Sequence, residues 1–463
     1  MANKLLVLVP HQDDELNIAG QVLPTFLEAG YECKICFSTN GDGFKSNGPV
    51  RLKEAMKVAD FLGVGKENLI FLGFDDSMGP DHPYNRVCAA EVSAASSVKT
   101  YSESVRCYSD SFDKPDLPQC RETLVSDVAH LLSSWRPDTV ICIDYDSHPD
   151  HRALSLAFEE AMGRVIRFDR SYMPLVLKKL AYPSVWYGPD DYWSYSPTVQ
   201  QERCGSFELD NPMYAWDDRL RVAPHPSAIT RSFFSNYVVK AAMRYPSQNG
   251  WYFMSSVCNS DVIYWVRRTD DLMFESKLEC SSGDGERLVN FQLFESTDVC
   301  SKEASALIGG CFHFHNDDDV RVIRVDFVSP KCISEIVVRE AVGSFGDFSG
   351  VSISIDGGVV RDMPRTNVHP GRFVLSLTES ISACSLEFRF GMGRGRQEIA
   401  SIEIYPTLLN DYLPLTNFKR LTGVAVKMRP SKLHPEIILR QIARVTMKIQ
   451  YLIVLTREKR LAK

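Results

Sequence analysis

Lys4-Leu5-Leu6-Val7-Leu8-Val9-Pro10-His11-Gln12-Asp13-Asp14-Glu15 runs from an apolar stretch straight into an imidazole and three carboxylates. Apolar residues without alternation mark a strand covered on both faces, as in the middle of a parallel sheet, and Pro10 closes it. In open α/β sheets ligands bind beyond the carboxyl ends of the strands, so His11 to Glu15 stand where loops carry chemistry. Three residues separate His11 from Asp14. In a turn leading into a helix their side chains share a face, and Asp13 projects about 100° away from Asp14. One carboxylate is then available to a metal while its neighbour stays free.

Working outward, the pattern predicts a helix over 16–29, a strand at 33–38, a polar turn through Asn40-Gly41-Asp42-Gly43, a helix over about 50–62 and a strand at 68–72. A polar, irregular stretch follows at about 76–116. A helix over 122–135 then leads into a strand at 139–144. This alternation predicts an α/β domain over 1–270, Rossmann-like, with a mostly parallel sheet and right-handed crossovers.

Ser147-His148-Pro149-Asp150-His151 follows the strand at 139–144 and repeats the strand-end setting of the first cluster. Alone, His-x-x-Asp is commonly a turn contact, and His-Pro-Asp-His a loop in which Asp150 caps the next helix. Both together, after two apolar strands about 130 residues apart in one α/β pattern, point to a metal site. His11, Asp14 and one histidine of the second cluster supply two imidazoles and a carboxylate, the ligand set of a catalytic zinc that keeps a position for water. Ferrous iron accepts the same set, although iron oxygenases of that kind are expected on a β jelly roll.

From about 272 the texture changes to short alternating segments between Gly-, Asp- and Ser-rich turns, which predicts a β-sandwich over 271–408. Its run Asp317-Asp318-Asp319 reads first as a solvated turn, with calcium as the other reading. Residues 409–463 are expected to form a basic amphipathic helical tail. The stretch 411–463 holds twelve Lys and Arg against three Asp and Glu, so the formal charge of −7 conceals about −16 on residues 1–410. An acidic body argues against a nucleic-acid partner. The tail suits a peripheral membrane surface or a protein partner. No window of about eighteen apolar residues occurs. Thirteen cysteines, an odd number, behind an N-terminus without a secretory signal lead to the expectation of a reducing, cytoplasmic setting, peripheral to the inner face of the membrane if the tail binds lipid. Cys33 and Cys36 read as core residues of one strand.

Pro10-His11-Gln12-Asp13-Asp14-Glu15 with His148-Pro149-Asp150-His151 resembles the PIG-L/LmbE-type N-acetylglucosaminyl deacetylases. Thr39-Asn40-Gly41-Asp42-Gly43, Arg51, Glu54, Leu72-Gly73 with Asp75, and Lys240 followed by Tyr245, Ser247 and Gln248 extend the resemblance over roughly residues 3–268. It implies that His11, Asp14 and His151 hold zinc, that Asp13 is the general base, and that His148, oriented by Asp150, assists at the oxyanion and the leaving nitrogen. It also implies that Arg51 contacts a polar or anionic group of the substrate; a surface arginine at a helix start is the plainer alternative. The implied activity is zinc-dependent hydrolysis of the acetamide of a GlcNAc-type sugar in a glycan, glycolipid or nucleotide-linked precursor, in cell-surface polysaccharide or glycoconjugate biosynthesis. Gln12 departs from the family, which usually has proline there, and the expected consequence is altered loop stiffness with the chemistry kept. The β-domain resembles a discoidin or carbohydrate-binding module. A competing reading is a glycan-binding or assembly protein whose deacetylase domain is inactive.

Overall fold

A computed structural model describes residues 2–43, 48–86, 106–107, 118–181, 186–187, 202–203, 211–230, 233–248, 261–301, 303, 306–308 and 311–413, with 445, 449, 452 and 453. The first strand, β1 (Lys4–Val9), has every residue from Leu5 to Val9 fully buried, as its unbroken apolar run requires. After it come α1 (Asp14–Ile18), α2 (Leu23–Glu28), β2 (Glu32–Thr39), α3 (Gly48–Leu62), β3 (Leu69–Phe74), β4 (Arg106–Cys107), α4 (Arg121–Trp135), β5 (Thr139–Ile143), α5 (Pro149–Phe168) and β6 (Leu175–Lys179). A short ribbon of β7 (Trp186–Tyr187) and β8 (Glu202–Arg203) precedes β9 (Leu220–Val222), α6 (Tyr237–Ala242) and β10 (Val262–Arg267). The eight-stranded sheet has the order β4-β3-β2-β1-β5-β6-β10-β9, parallel as far as β6, with β10 and β9 added antiparallel. The chain moves outward from β1 through β2 and β3, then returns to place β5 on the other side of β1. That reversal opens the ligand crevice between the ends of β1 and β5.

The helix expected over 16–29 is two helices. Pro24 lacks the N–H a continuous helix needs, and its ring would strike the carbonyl four residues back, so the chain turns through 19–22 and restarts with Pro24 in the first turn of α2. Cys33 and Cys36 are free and buried. Cys120 is the N-cap of α4.

The second part is antiparallel: β11 (Ser276–Cys280), the pair β12 (Glu295–Ser296) and β13 (Leu307–Ile308), then β14 (Phe312–His313), β15 (Val322–Glu340), β16 (Val351–Ile355), β17 (Arg361–Met363), β18 (Arg372–Phe390) and β19 (Glu398–Tyr405). Its main sheet runs β14-β19-β15-β18-β16-β17, with β11 also on β15. β15 and β18, nineteen residues each, lose register between Asp326 and Lys331 and again between Ile333 and Glu335. Such breaks bend a strand, and the sheet folds over a core containing Ile323, Ile336, Leu386, Phe388 and Ile402.

The two parts share packing. Phe291, Leu293, Phe294, Val299 and Leu307 belong to the same apolar cluster as β1 and α5. A Cβ on Gly163 of α5 would lie 2.2 Å from the carbonyl oxygen of Asn290, so only glycine permits this approach. After β19 comes a short helix, α7 (Leu409–Tyr412). Of the expected basic helix beyond it, Val445, Ile449, Leu452 and Ile453 are helical with exposed side chains, and the rest lies outside the described residues. Among the described residues no helix is long and apolar enough to cross a membrane.

Candidate metal centre

The loop after β1 and the start of α5 converge. Asp14 Oδ2 lies 3.0 Å from His11 Nδ1 and 3.3 Å from His151 Nε2. Ligands about 2.0–2.1 Å from a tetrahedral zinc sit roughly 3.3 Å apart, so this spacing is that of two edges of one coordination shell. The opposite nitrogen of each ring meets a carboxylate: His11 Nε2 is 3.1 Å from Asp150 Oδ2, and His151 Nδ1 is 2.8 Å from Asp146 Oδ2. A carboxylate behind an imidazole fixes the tautomer, here with a proton on His11 Nε2 and on His151 Nδ1, and leaves His11 Nδ1 and His151 Nε2 to face a cation. The donors therefore fit a divalent metal. Nitrogens of His11, His148 and His151 also lie within 4.8 Å of one another, which puts His148 at the rim of the same space.

The charge pattern agrees. Burial works against a proton on His151, but Asp146 and Asp14 outweigh it and push its pKa up to about 9. His11 likewise is raised well above the ordinary range against its burial, by Asp76, Asp14 and Asp150. The imidazoles thus sit in a concentrated negative field of the kind a divalent cation neutralises. Asp13 behaves differently, since burial and then the charge of Asp14 push its carboxyl up to about 7.

Asp13 is not set apart by helical rotation as the sequence suggested. It precedes α1 with φ 135°, in a region costly for any residue with a Cβ, and it lines a cavity of about 120 Å³ together with His11, Asp14, Arg51, Asp76 and His148. Several bonds hold that strained turn. The Asp13 amide donates to Glu15 Oε2 at 3.0 Å, and Tyr245 Oη donates to Glu15 Oε1 at 2.8 Å. Gln12 is fully buried and its Nε2 donates to the Thr39 carbonyl at the end of β2, 2.8 Å away. Where a proline would stiffen this loop by its ring, Gln12 ties it to the neighbouring strand.

Three expectations change in detail. Asp150 does not chiefly orient His148: its carboxylate contacts His11 Nε2 and, at 2.9 Å, His82 Nε2, whereas His148 Nδ1 is 3.6 Å away. The cap of α5 is His148, whose Nδ1 accepts the Asp150 N–H at 3.2 Å, which leaves Nε2 to carry the ring proton. Burial, His11 and His151 push His148 down to about 3, far from the ordinary histidine value expected of a proton donor. Arg51, finally, is no surface residue. It is buried, lines the cavity and donates to the carbonyls of Gln12 (3.2 Å) and Gly41 (3.5 Å) and to Asp76 (3.5 Å).

Among the further residues, Gln248 lines the cavity, Ser247 hydrogen-bonds Glu54, and Lys240 is exposed. His82, Asp76 and Asp146 were missed from sequence. Asp146 was within reach, because it follows a buried strand and precedes His148 by two residues. His82 and Asp76, in the irregular loop after β3, carry no local signal.

Residues 6–162 match the PIG-L family model, described as GlcNAc-PI de-N-acetylase. No curated protein matches the chain. Among solved structures, a family 32 CBM from Clostridium perfringens NanJ in complex with galactose is similar at 14% identity and TM-score 0.22, over 28% of this chain and 94% of that one. A Streptococcus pneumoniae fucose-binding module is similar at 10% identity and TM-score 0.22, over 29% and 96%. The lectin domain of lectinolysin with Lewis B antigen gives 12%, 0.23, 30% and 99%.

Proposed function

From a chain whose residues 6–162 form a PIG-L domain, we propose a metal-dependent deacetylase that hydrolyses the acetamide of a GlcNAc-type amino sugar. The observation that carries the reading is Asp14 Oδ2 set between His11 Nδ1 and His151 Nε2, with the Asp13 carboxyl in the adjoining cavity. The proposed ligands are His11, Asp14 and His151. A divalent cation held there supplies Lewis acidity, which acidifies water and polarises the acetyl carbonyl. Zinc is the first candidate and ferrous iron the second, since two nitrogens and one oxygen suit both.

Asp13, with its pKa near neutrality, removes a proton from the attacking water. An amine leaves only when protonated, and the same Asp13 carboxyl returns that proton to the nitrogen as the C–N bond breaks. His148 stays neutral and offers its Nε2–H to the oxygen that gains negative charge. This divides the roles differently from the resemblance, which gave His148 a share at the leaving nitrogen. Arg51 and Gln248 supply the polar wall for sugar hydroxyls.

The test is acetate release by the full chain, loaded with zinc or iron, from free, nucleotide-linked and lipid-linked N-acetyl amino sugars. Release from one class with metal bound in a one-to-one ratio is expected. A protein that holds metal and releases no acetate from any donor would overturn the proposal.

A further inference from the structure

The carboxylates behind the two metal-facing imidazoles are themselves tied to one short piece of the second part of the chain, residues 298–301. Two separate routes make the connection.

The first passes through the loop after β3. Asn85 Nδ2 donates to Asp298 Oδ1 at 2.8 Å, and the Val299 amide donates back to Asn85 Oδ1 at 3.2 Å, a reciprocal pair that fixes both backbones. Cys300 Sγ, 2.9 Å from the Gly79 carbonyl, holds the other end of that loop. Between these anchors stands His82. Its Nδ1 accepts the Tyr84 amide at 3.0 Å, so its Nε2–H points to Asp150 Oδ1 at 2.9 Å, and Asp150 Oδ2 meets His11.

The second route passes through Arg152, next to His151 on α5. Its Nε donates to the Asp146 carbonyl at 2.5 Å, while one terminal nitrogen donates to the carbonyls of Val299, 3.3 Å away, and Ser301. The Asp146 carboxylate in turn holds His151 Nδ1. Val299 is fully buried in the apolar cluster of the first sheet, which seats the segment.

We propose that residues 298–301 act as a positioning element of the metal centre, so that the second part of the chain sets the affinity of a site it does not line. Asn85, His82 and Arg152 are the positioning residues. A ring whose supporting carboxylate swings away loses its preferred tautomer and direction, and outer partners of this kind are worth about 10–100-fold in metal affinity. The inference rests on the proposed metal site.

The experiment is zinc titration of metal-free full-length protein against a competing chelator, for the parent and for Asn85→Ala, Asp298→Asn, Arg152→Gln and Glu286→Ala. Glu286 pairs with Arg167 at another point of the same junction, and its removal tests docking in general. Asn85→Ala and Arg152→Gln are expected to weaken zinc binding about 10–100-fold, with Glu286→Ala within twofold of the parent. Asp298→Asn, the mildest change, is expected to weaken zinc binding in the same direction and keeps the first route testable if Asn85→Ala fails to fold. Folded Asn85→Ala and Asp298→Asn proteins with parental affinity, or an equal loss in Glu286→Ala, would overturn the inference. If the parent itself binds no zinc or iron, it is the metal site that fails.

Discussion

Two acidic runs, Asp13-Asp14-Glu15 and Asp317-Asp318-Asp319, look alike on paper and differ in almost every physical respect. The first is buried at the end of a parallel strand, faces two imidazoles, and has its members driven apart: Asp14 is held well below the carboxylate range by His151 and His11 against its burial, while burial pushes Glu15 up to about 8. The second lies at a turn of the β-domain. Asp317 and Asp319 are exposed, and Asp318 accepts the amides of Val320 (2.9 Å) and Arg321 (3.0 Å) and the hydroxyls of Ser281 and Ser282 (2.5 Å each). Its lone pairs serve its own turn and the facing Ser281 and Ser282, in keeping with the turn reading of its sequence. Among the described residues it joins no group of metal-ligating side chains. Carboxylates in series say little by themselves; what surrounds them decides between a ligand set and a cap.

The sharpest way to break the contrast is to neutralise one acid in each run. Asp13→Asn should lower kcat for acetate release by about 10²–10⁴-fold with metal still bound, because the group that moves the proton is gone. Asp318→Asn should leave kcat within twofold and cost no more than about 1 kcal/mol of stability in a denaturant titration. Equal losses of activity would mean that burial does not separate the runs.

Gln12 tests what holds the buried run in place. Gln12→Ala removes the bond to Thr39 and should reduce kcat about tenfold at unchanged metal content, since a small misplacement of the base is costly. Gln12→Pro should recover most of that loss by restricting φ. An alanine variant with parental kcat would make Gln12 a packing residue only.

Asp127 on α4 supplies a control without imidazoles. It is buried, one of its oxygens has no hydrogen-bond partner among the described residues, and burial pushes its pKa up to about 7. A carboxyl whose folded pKa exceeds its unfolded value near 4 binds its proton more tightly in the native state, so its ionisation costs stability as pH rises from about 4 through 7. Asp127→Asn should therefore be more stable than the parent by about 2 kcal/mol at pH 8, with the difference gone near pH 4, as read by urea unfolding. The opposite trend would show that Asp127 has a cationic partner.

Much of the centre was legible because its parts are local. His11 and Asp14 are three residues apart after one buried strand, and His148 and His151 share the first turn of one helix after another. Parallel pairing of β1 with β5 brings the two together, a relation that alternating strands and helices predict. What escaped is non-local. His82 reaches Asp150 from 68 residues away, and Arg152 reaches Val299 from 147. The bend at 19–22 escaped for a different reason: the apolar spacing of a helix persists through it, and Pro24 alone records the break.

Val299 packs into the first sheet although the residues it supports come much earlier in the chain. Synthesis runs from one end, and Ser301 leaves the ribosome about 150 residues after His151, roughly 8–30 s later at 5–20 residues per second. During that interval the nascent chain already carries the proposed ligands His11, Asp14 and His151 but lacks the segment behind them. If the proposed bracket sets the affinity, tight capture of a cation is reserved for chains extended past Ser301, well after the last proposed ligand has been made.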